Sequence, residues 1–171
     1  METEGSRKDQ LAERAYALAF DYERRYHNCP QCVFATLQEV LGIGDDAAFK
    51  AAYSLSGGGA RMSKGTCGAL VGGMLAIGSV YGRDKQHFDQ RGYSDASRVA
   101  KKLFDRFVEE WGSPICTDVH LKRFGRRFDL WTEYEAFEAA GAHKDKCPTV
   151  TGKTARWAVE ILLDEMEGTG K

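Results

Sequence analysis

Apolar residues recur at three- and four-residue steps along most of this chain. Leu11, Ala15, Leu18, Ala19 and Tyr22 share one face of a first amphipathic helix. Val33, Phe34, Leu37, Val40 and Leu41 make a second stripe, which the Gly42–Ile43–Gly44 segment stops. Asp45 or Asp46 can cap a short third helix through Phe49 and Tyr53. The stretch SLSGGGARMSKG, residues 54–65, is too rich in glycine to be regular and reads as a loop. A fourth helix begins near Thr66. Leu70, Val71, Met74, Leu75 and Ile77 form its apolar face, and Gly68, Gly72, Gly73, Ala76 and Ser79 a smooth flank that admits a neighbouring backbone. Val99, Leu103, Phe104, Phe107 and Val108 mark a fifth helix, and shorter helical segments follow at 116–124 and 134–140. A last helix carries Val150, Trp157, Val159, Ile161 and Leu162. No stretch alternates with the two-residue period of a strand. The pattern predicts an all-α fold: one domain over residues 1–171, a compact multi-helix bundle with its core at about 10–165.

Composition narrows the function classes. A net charge of -1 argues against bulk electrostatic capture of nucleic acid or of an anionic membrane. No apolar run reaches the ~18 residues that span a bilayer, so no membrane insertion is expected. The opening METEGSRKDQLAER is polar and carries no apolar signal core, so the expected location is cytoplasmic. Five cysteines in such a setting point to metal binding or redox chemistry, not to a disulfide framework.

The cysteines have a shared context. The chain has three prolines, and each lies beside a cysteine: NCPQC at 28–32, SPIC at 113–116 and KCPTV at 146–150. Proline is favoured in a first helical turn, where its missing N–H is no loss. Asn28 or Cys29, Ser113 and Cys147 are therefore candidate N-caps, and Thr66 is one before Cys67. Cys29, Cys67, Cys116 and Cys147 are thus expected at helix N-termini, where free N–H groups and the helix dipole favour a thiolate by about 0.3–1 kcal/mol each. A set of this kind suits either a tetrathiolate metal site or an iron–sulfur cluster. The segment KGTCGALVGG, residues 64–73, sharpens the expectation. Glycines cost a helix roughly 1 kcal/mol each, and here Gly68 beside Cys67 would let bare backbone approach a bound group.

Other constellations compete. Cys29-Pro-Gln-Cys32 is a CxxC, but Val33 follows where a c-type haem needs histidine, so no haem is expected. The same CxxC could serve thiol–disulfide exchange, with Cys29 or Cys67 as nucleophile and Cys32 or Cys116 as resolving partner. Cys116-x3-His120 and His143-x3-Cys147 could bind zinc in a structural or partner-binding protein. His27 and His87 have no partner pattern and read as surface residues. GGGARMSKGT lacks the spacing of a phosphate loop. KRFGRRFD, residues 122–129, reads as a solvated turn or a partner-docking patch.

Taken together, these residues resemble the redox-active family named for its C, GCAxxG, C, C cysteine pattern. Cys67-Gly68-Ala69-Leu70-Val71-Gly72 matches the CGAxxG signature; Cys29 in CPQCVFATLQEVLG, Cys116 in EEWGSPIC and Cys147 in KCPTVTGKTARWAVEIL match the flanking cysteines. Cys32 is an addition to the pattern. The family is similar to the iron–sulfur portion of split-Soret cytochromes, without the haem half. That resemblance implies a helical protein in which Cys29, Cys67, Cys116 and Cys147 hold a cluster of the [2Fe–2S] type for electron transfer or redox sensing. It also implies a homodimer and a separate redox partner protein. A thiol–disulfide oxidoreductase and a zinc-stabilised structural protein stay open as alternatives.

Overall fold

The structure is a computed structural model and describes residues 4–92 and 94–169. Eight α-helices account for most of them: α1 (Glu4–Tyr26), α2 (Cys29–Leu41), α3 (Asp46–Ala52), α4 (Gly68–Tyr81), α5 (Ala96–Trp111), α6 (Cys116–Phe124), α7 (Tyr134–Ala139) and α8 (Cys147–Thr169). Among the described residues the sole β pairing is an isolated antiparallel bridge between Thr66 and Ile115. The fold is all-α, as the periodicity predicts.

Sequence dictates the helix ends in physical terms. Asn28 caps α2, its side chain accepting from the Gln31 N–H, and Pro30 sits in the first turn where no N–H is missed. Asp45 caps α3 by accepting from the Ala48 N–H at 2.8 Å. Gly42, Gly112 and Gly125 end α2, α5 and α6 in the left-handed conformation that glycine adopts most easily. The head of α8 departs from expectation. A π-helical turn, Ala142–Lys146, runs straight into it, so the Cys147 N–H already donates to the Ala142 carbonyl. Cys147 is the first α-helical residue but not a free helix start.

The long helix α8 packs along α1 and also touches α2, α4 and α5. The core between them is built from Phe34, Leu37, Leu70, Ile77, Leu103, Phe107, Val159 and Leu162, all with no exposed surface. On α1 the buried apolar positions are the small ones, Ala12, Ala15 and Ala19, so α8 comes close there. A second, smaller cluster of Phe128, Leu130, Phe137 and Ala142, with Phe124 and Tyr134 against it, closes one end of the molecule. This corrects the reading of KRFGRRFD as a solvated turn. Lys122, Gly125, Arg126, Arg127 and Asp129 are exposed, with Arg126 meeting Glu133 and Arg127 meeting Asp118, but the two phenylalanines turn inward. Phe124 and Phe128 stack edge-on, 5.3 Å between centroids, because aromatic rings gain more from mutual burial than from water.

The smooth flank of α4 does what its composition suggests. A Cβ at Gly72 would overlap the Pro30 carbonyl oxygen and stand 2.9 Å from Pro30 Cα, so the α2 backbone lies directly on this face. At Gly78 a Cβ would meet nothing. These two glycines therefore answer oppositely to alanine. Gly78→Ala should raise unfolding stability by up to about 1 kcal/mol through helix propensity. Gly72→Ala should lower it by about 1–3 kcal/mol, since backbone cannot swing aside. Urea denaturation of the two variants checks the pair; equal shifts would mean that α2 does not rest on Gly72.

Candidate functional site

Where α2, α4, α6 and α8 begin, four of the five cysteines come together. Cys29, Cys67, Cys116 and Cys147 all line one cavity of about 50 Å³, with Glu23, His27, Ser56, Gly57, His120 and His143 also in its walls. Space of that size holds more than one water-sized group. Cys32 does not line it. That residue is one turn further along α2, buried, and borders a separate groove with Tyr22 and Tyr26.

Each sulfur is placed by a distinct local device. Cys29 is the first residue of α2, carried by the Asn28 cap. Cys67 is itself the N-cap of α4, so the helix starts one residue later than a Thr66 cap would give. Cys116 opens α6 after an Ile115 cap, while Ser113 supports the turn by accepting from the Ile115 N–H and donating to Asp118. Cys67 and Cys116 are locked side by side across the isolated bridge: the Cys67 N–H donates to the Pro114 carbonyl at 2.7 Å and the Cys116 N–H to the Gly65 carbonyl at 3.0 Å. Gly68 provides the space for Cys29. A Cβ there would overlap the Cys29 sulfur and stand 2.8 Å from Pro30 Cδ. The glycine loop before α4 is conformationally strained beside the cavity. Ala60, Arg61 and Ser63 have φ of 47°, 56° and 61°, a region that costs an L-residue roughly 1 kcal/mol or more.

The electrostatics correct one expectation from sequence. Helix starts were expected to favour thiolates, yet burial pushes the thiol of Cys29 well above its ordinary value, with Glu23 and the neighbouring sulfurs adding to the rise and the Gly57 N–H opposing it. Cys116 and Cys147 are raised in the same way, by burial first and then by the other sulfurs and Glu23. Cys67 goes up to about 11, because burial outweighs the free Ala69 and Leu70 N–H groups that pull it down. Moving it there from 9 disfavours the thiolate by roughly 3 kcal/mol, which exceeds the contribution of a helix dipole. Cys32 is raised too, by burial and by Glu23.

Three histidines complete the walls: His120 and His143, which the sequence pairs with Cys116 and Cys147 as candidate zinc ligands, and His27, which it reads as a surface residue. His120 sits with Nε2 3.5 Å from the Cys116 sulfur, among Phe124, Phe128 and Phe137, and burial lowers its pKa to about 4. Its Nδ1 is buried with no hydrogen-bond partner. His143 faces Glu23 through Nε2 at 3.5 Å and Glu138 through Nδ1. Burial alone would lower its pKa, but the two carboxylates raise it above the ordinary histidine value. His27 is no bare surface residue, for its ring stacks on that of His143 with 3.8 Å between centroids. Glu23 had a sequence signal: Ala12, Ala15 and Ala19 step by threes and fours along one buried face, and the next step lands on a carboxylate.

The donor set can be tested for fit. Among the described residues, the sole trio of His, Cys, Asp and Glu whose ligand atoms all lie within 4.8 Å of one another is His27, Glu138 and His143. No three cysteine sulfurs meet that limit. A single tetrahedral zinc, with Zn–S of about 2.3 Å, needs its sulfurs at roughly 3.8 Å from each other. The four thiols do not form such a quartet in this structure.

Residues 27–161 match the model of a family described as putative redox-active protein (C_GCAxxG_C_C). No curated protein and no solved structure matches the chain. None of its described helices is long and apolar enough to cross a membrane.

The raised thiols give a pH prediction for the chain with no metal bound. Below pH 9 the thiols are protonated whether folded or not, and their contribution to stability is fully present. As pH rises past 9 the unfolded chain releases thiol protons that the fold retains, so stability falls through 11 and beyond. Alkylation at pH 8 should therefore be at least tenfold slower in the native chain than in urea, with Cys67 the first of the four to react as pH rises. Fast native alkylation of Cys29 or Cys67 at neutral pH would show an activated thiol instead.

Proposed function

The chain belongs to the C_GCAxxG_C_C family of redox-active proteins, and from that premise we propose that Cys29, Cys67, Cys116 and Cys147 hold an iron–sulfur cluster of the [2Fe–2S] type for electron transfer or redox sensing. One observation carries the reading: four cysteines from four separate helix starts line one cavity, while the fifth is kept out of it. Gly68 supports it, since the one position where a side chain would collide with the Cys29 sulfur has none. The raised thiols support it as well. A buried group of neutral thiols gives up its protons when a metal compensates the charge, so the site suits a cation far better than it suits free thiolates.

When bound, such a cluster supplies a one-electron couple whose potential depends on charge, burial and hydrogen bonds to sulfur. This chain contributes each of those. The Gly57, Ala69 and Leu70 N–H groups are directed at Cys29 and Cys67. His120 Nε2 is placed to donate to the Cys116 sulfur. The phenylalanines behind His120 keep water from that side. The Glu23 carboxylate, 2% exposed, adds negative charge in the cavity wall. A redox partner protein and a cytoplasmic location belong to the same proposal.

Thiol–disulfide exchange fits these residues less well. Its nucleophile needs a lowered pKa, and Cys32, the nearest candidate resolving thiol to Cys29 in sequence, lies outside the cavity.

Ligand substitution tests the assignment. In anaerobically isolated protein, Cys67→Ser should lose at least nine-tenths of the bound iron and Cys32→Ser should keep it all. Gly68→Val should also lose the metal, because the valine would displace the Cys29 sulfur. Full iron occupancy in Cys67→Ser, or loss of iron only in Cys32→Ser, would contradict the ligand set.

A further inference from the structure

On one wall of the cysteine cavity stands a second set of donors that the cluster does not use. His27 follows the last residue of α1, Glu138 is on α7 and His143 is in the π turn before α8. Their side chains are 36%, 32% and 9% exposed. His27 and His143 line the cavity.

The hydrogen bonds of this trio fix where its lone pairs point. His27 Nε2 lies 3.1 Å from the Arg24 carbonyl, which accepts only, so that nitrogen carries the proton. His143 Nε2 lies 3.5 Å from the Glu23 carboxylate, again an acceptor. Each ring thus has its far nitrogen held by an oxygen, which leaves the two Nδ1 atoms to face Glu138 Oε1. His27 Nδ1 is 3.8 Å from that oxygen and His143 Nδ1 is bonded to it. An imidazole whose other N–H is fixed by a carboxylate or carbonyl is the usual outer arrangement of a histidine that binds metal.

Two further observations point the same way. Glu23 is 2% exposed, and its second oxygen, Oε2, is buried without a hydrogen-bond partner. Separately, His27 adopts φ +54°. This left-handed conformation costs an L-residue about 1–2 kcal/mol, and such strain gathers at functional positions.

We propose that His27, Glu138 and His143 form a cation site for a divalent first-row transition ion, with Glu23 orienting His143 and Arg24 orienting His27. Two imidazoles and a carboxylate are a donor set for iron(II), zinc or cobalt(II). The rings now lie 3° from parallel. An imidazole lone pair lies in the plane of its ring, so sharing an ion turns the rings out of the stack. Tyr134, whose hydroxyl is 3.4 Å from His27 Nδ1, is the neighbour that must adjust. The site stands whether or not the cysteines hold a cluster.

Cobalt(II) is the probe, because sulfur ligation gives intense charge-transfer absorption and nitrogen–oxygen ligation does not. The full chain carrying Cys67→Ser and Cys116→Ser should bind one equivalent with no charge-transfer band and with paramagnetically shifted imidazole protons. In that background His27→Gln and Glu138→Gln should each weaken binding at least tenfold, and Glu23→Gln by 10–100-fold. His27 and Glu138 are partly exposed, so these variants should keep the helical circular dichroism of the parent. Cobalt binding that is absent from the parent, undiminished in His27→Gln and Glu138→Gln, or accompanied only by charge transfer would overturn the site.

Discussion

The first turn of α2 rests on the first turns of α4 with no α4 side chain between them. Pro30 meets Gly72 and the Cys29 sulfur meets Gly68, so two helix starts share the volume that one Cβ would take. The rest of the cavity follows from that contact. Once α4 is seated, Cys67 at its N-cap fixes the adjoining strand-like bridge, and the bridge brings Cys116 alongside. The remaining wall comes from α8, which is held along α1 by its small-residue face and delivers Cys147 from the opposite side. Four sulfurs that are far apart in sequence are thereby placed by packing, not by any one loop.

That packing sets a conflict between burial and ionisation. Helix starts and free N–H groups favour thiolates weakly, while desolvation and the mutual repulsion of several sulfurs disfavour them strongly. Glu23 adds to the repulsion. A cavity with these properties is poorly made for a free nucleophile and well made for a group that contributes positive charge. The same logic extends to its wall, where Glu23 and Glu138 face one imidazole.

Much of this could be seen in the residues. The three- and four-residue periods give the helices, and the Gly68–Gly72–Gly73 flank gives the close approach, because both are local consequences of side-chain shape. The proline-marked cysteines likewise point to helix starts. What was hidden depends on contacts between distant segments. His27 and His143 have no shared motif and meet only because α1 and the π turn pack together. Phe124 and Phe128 looked like parts of a basic surface turn, since nothing local reveals that Phe137 waits to cover them. The π turn before Cys147 was masked by Pro148, whose ring signals a helix start regardless of what precedes it.

The central claim, that the four cavity cysteines hold an iron–sulfur cluster, is tested most directly by iron and acid-labile sulfide analysis of the unmodified chain purified without oxygen. The account predicts a coloured protein with two iron and two sulfide per chain, and a paramagnetic resonance signal that appears on one-electron reduction. Colourless protein that takes up neither iron nor sulfide after anaerobic reconstitution, or that holds one zinc in their place, would contradict it.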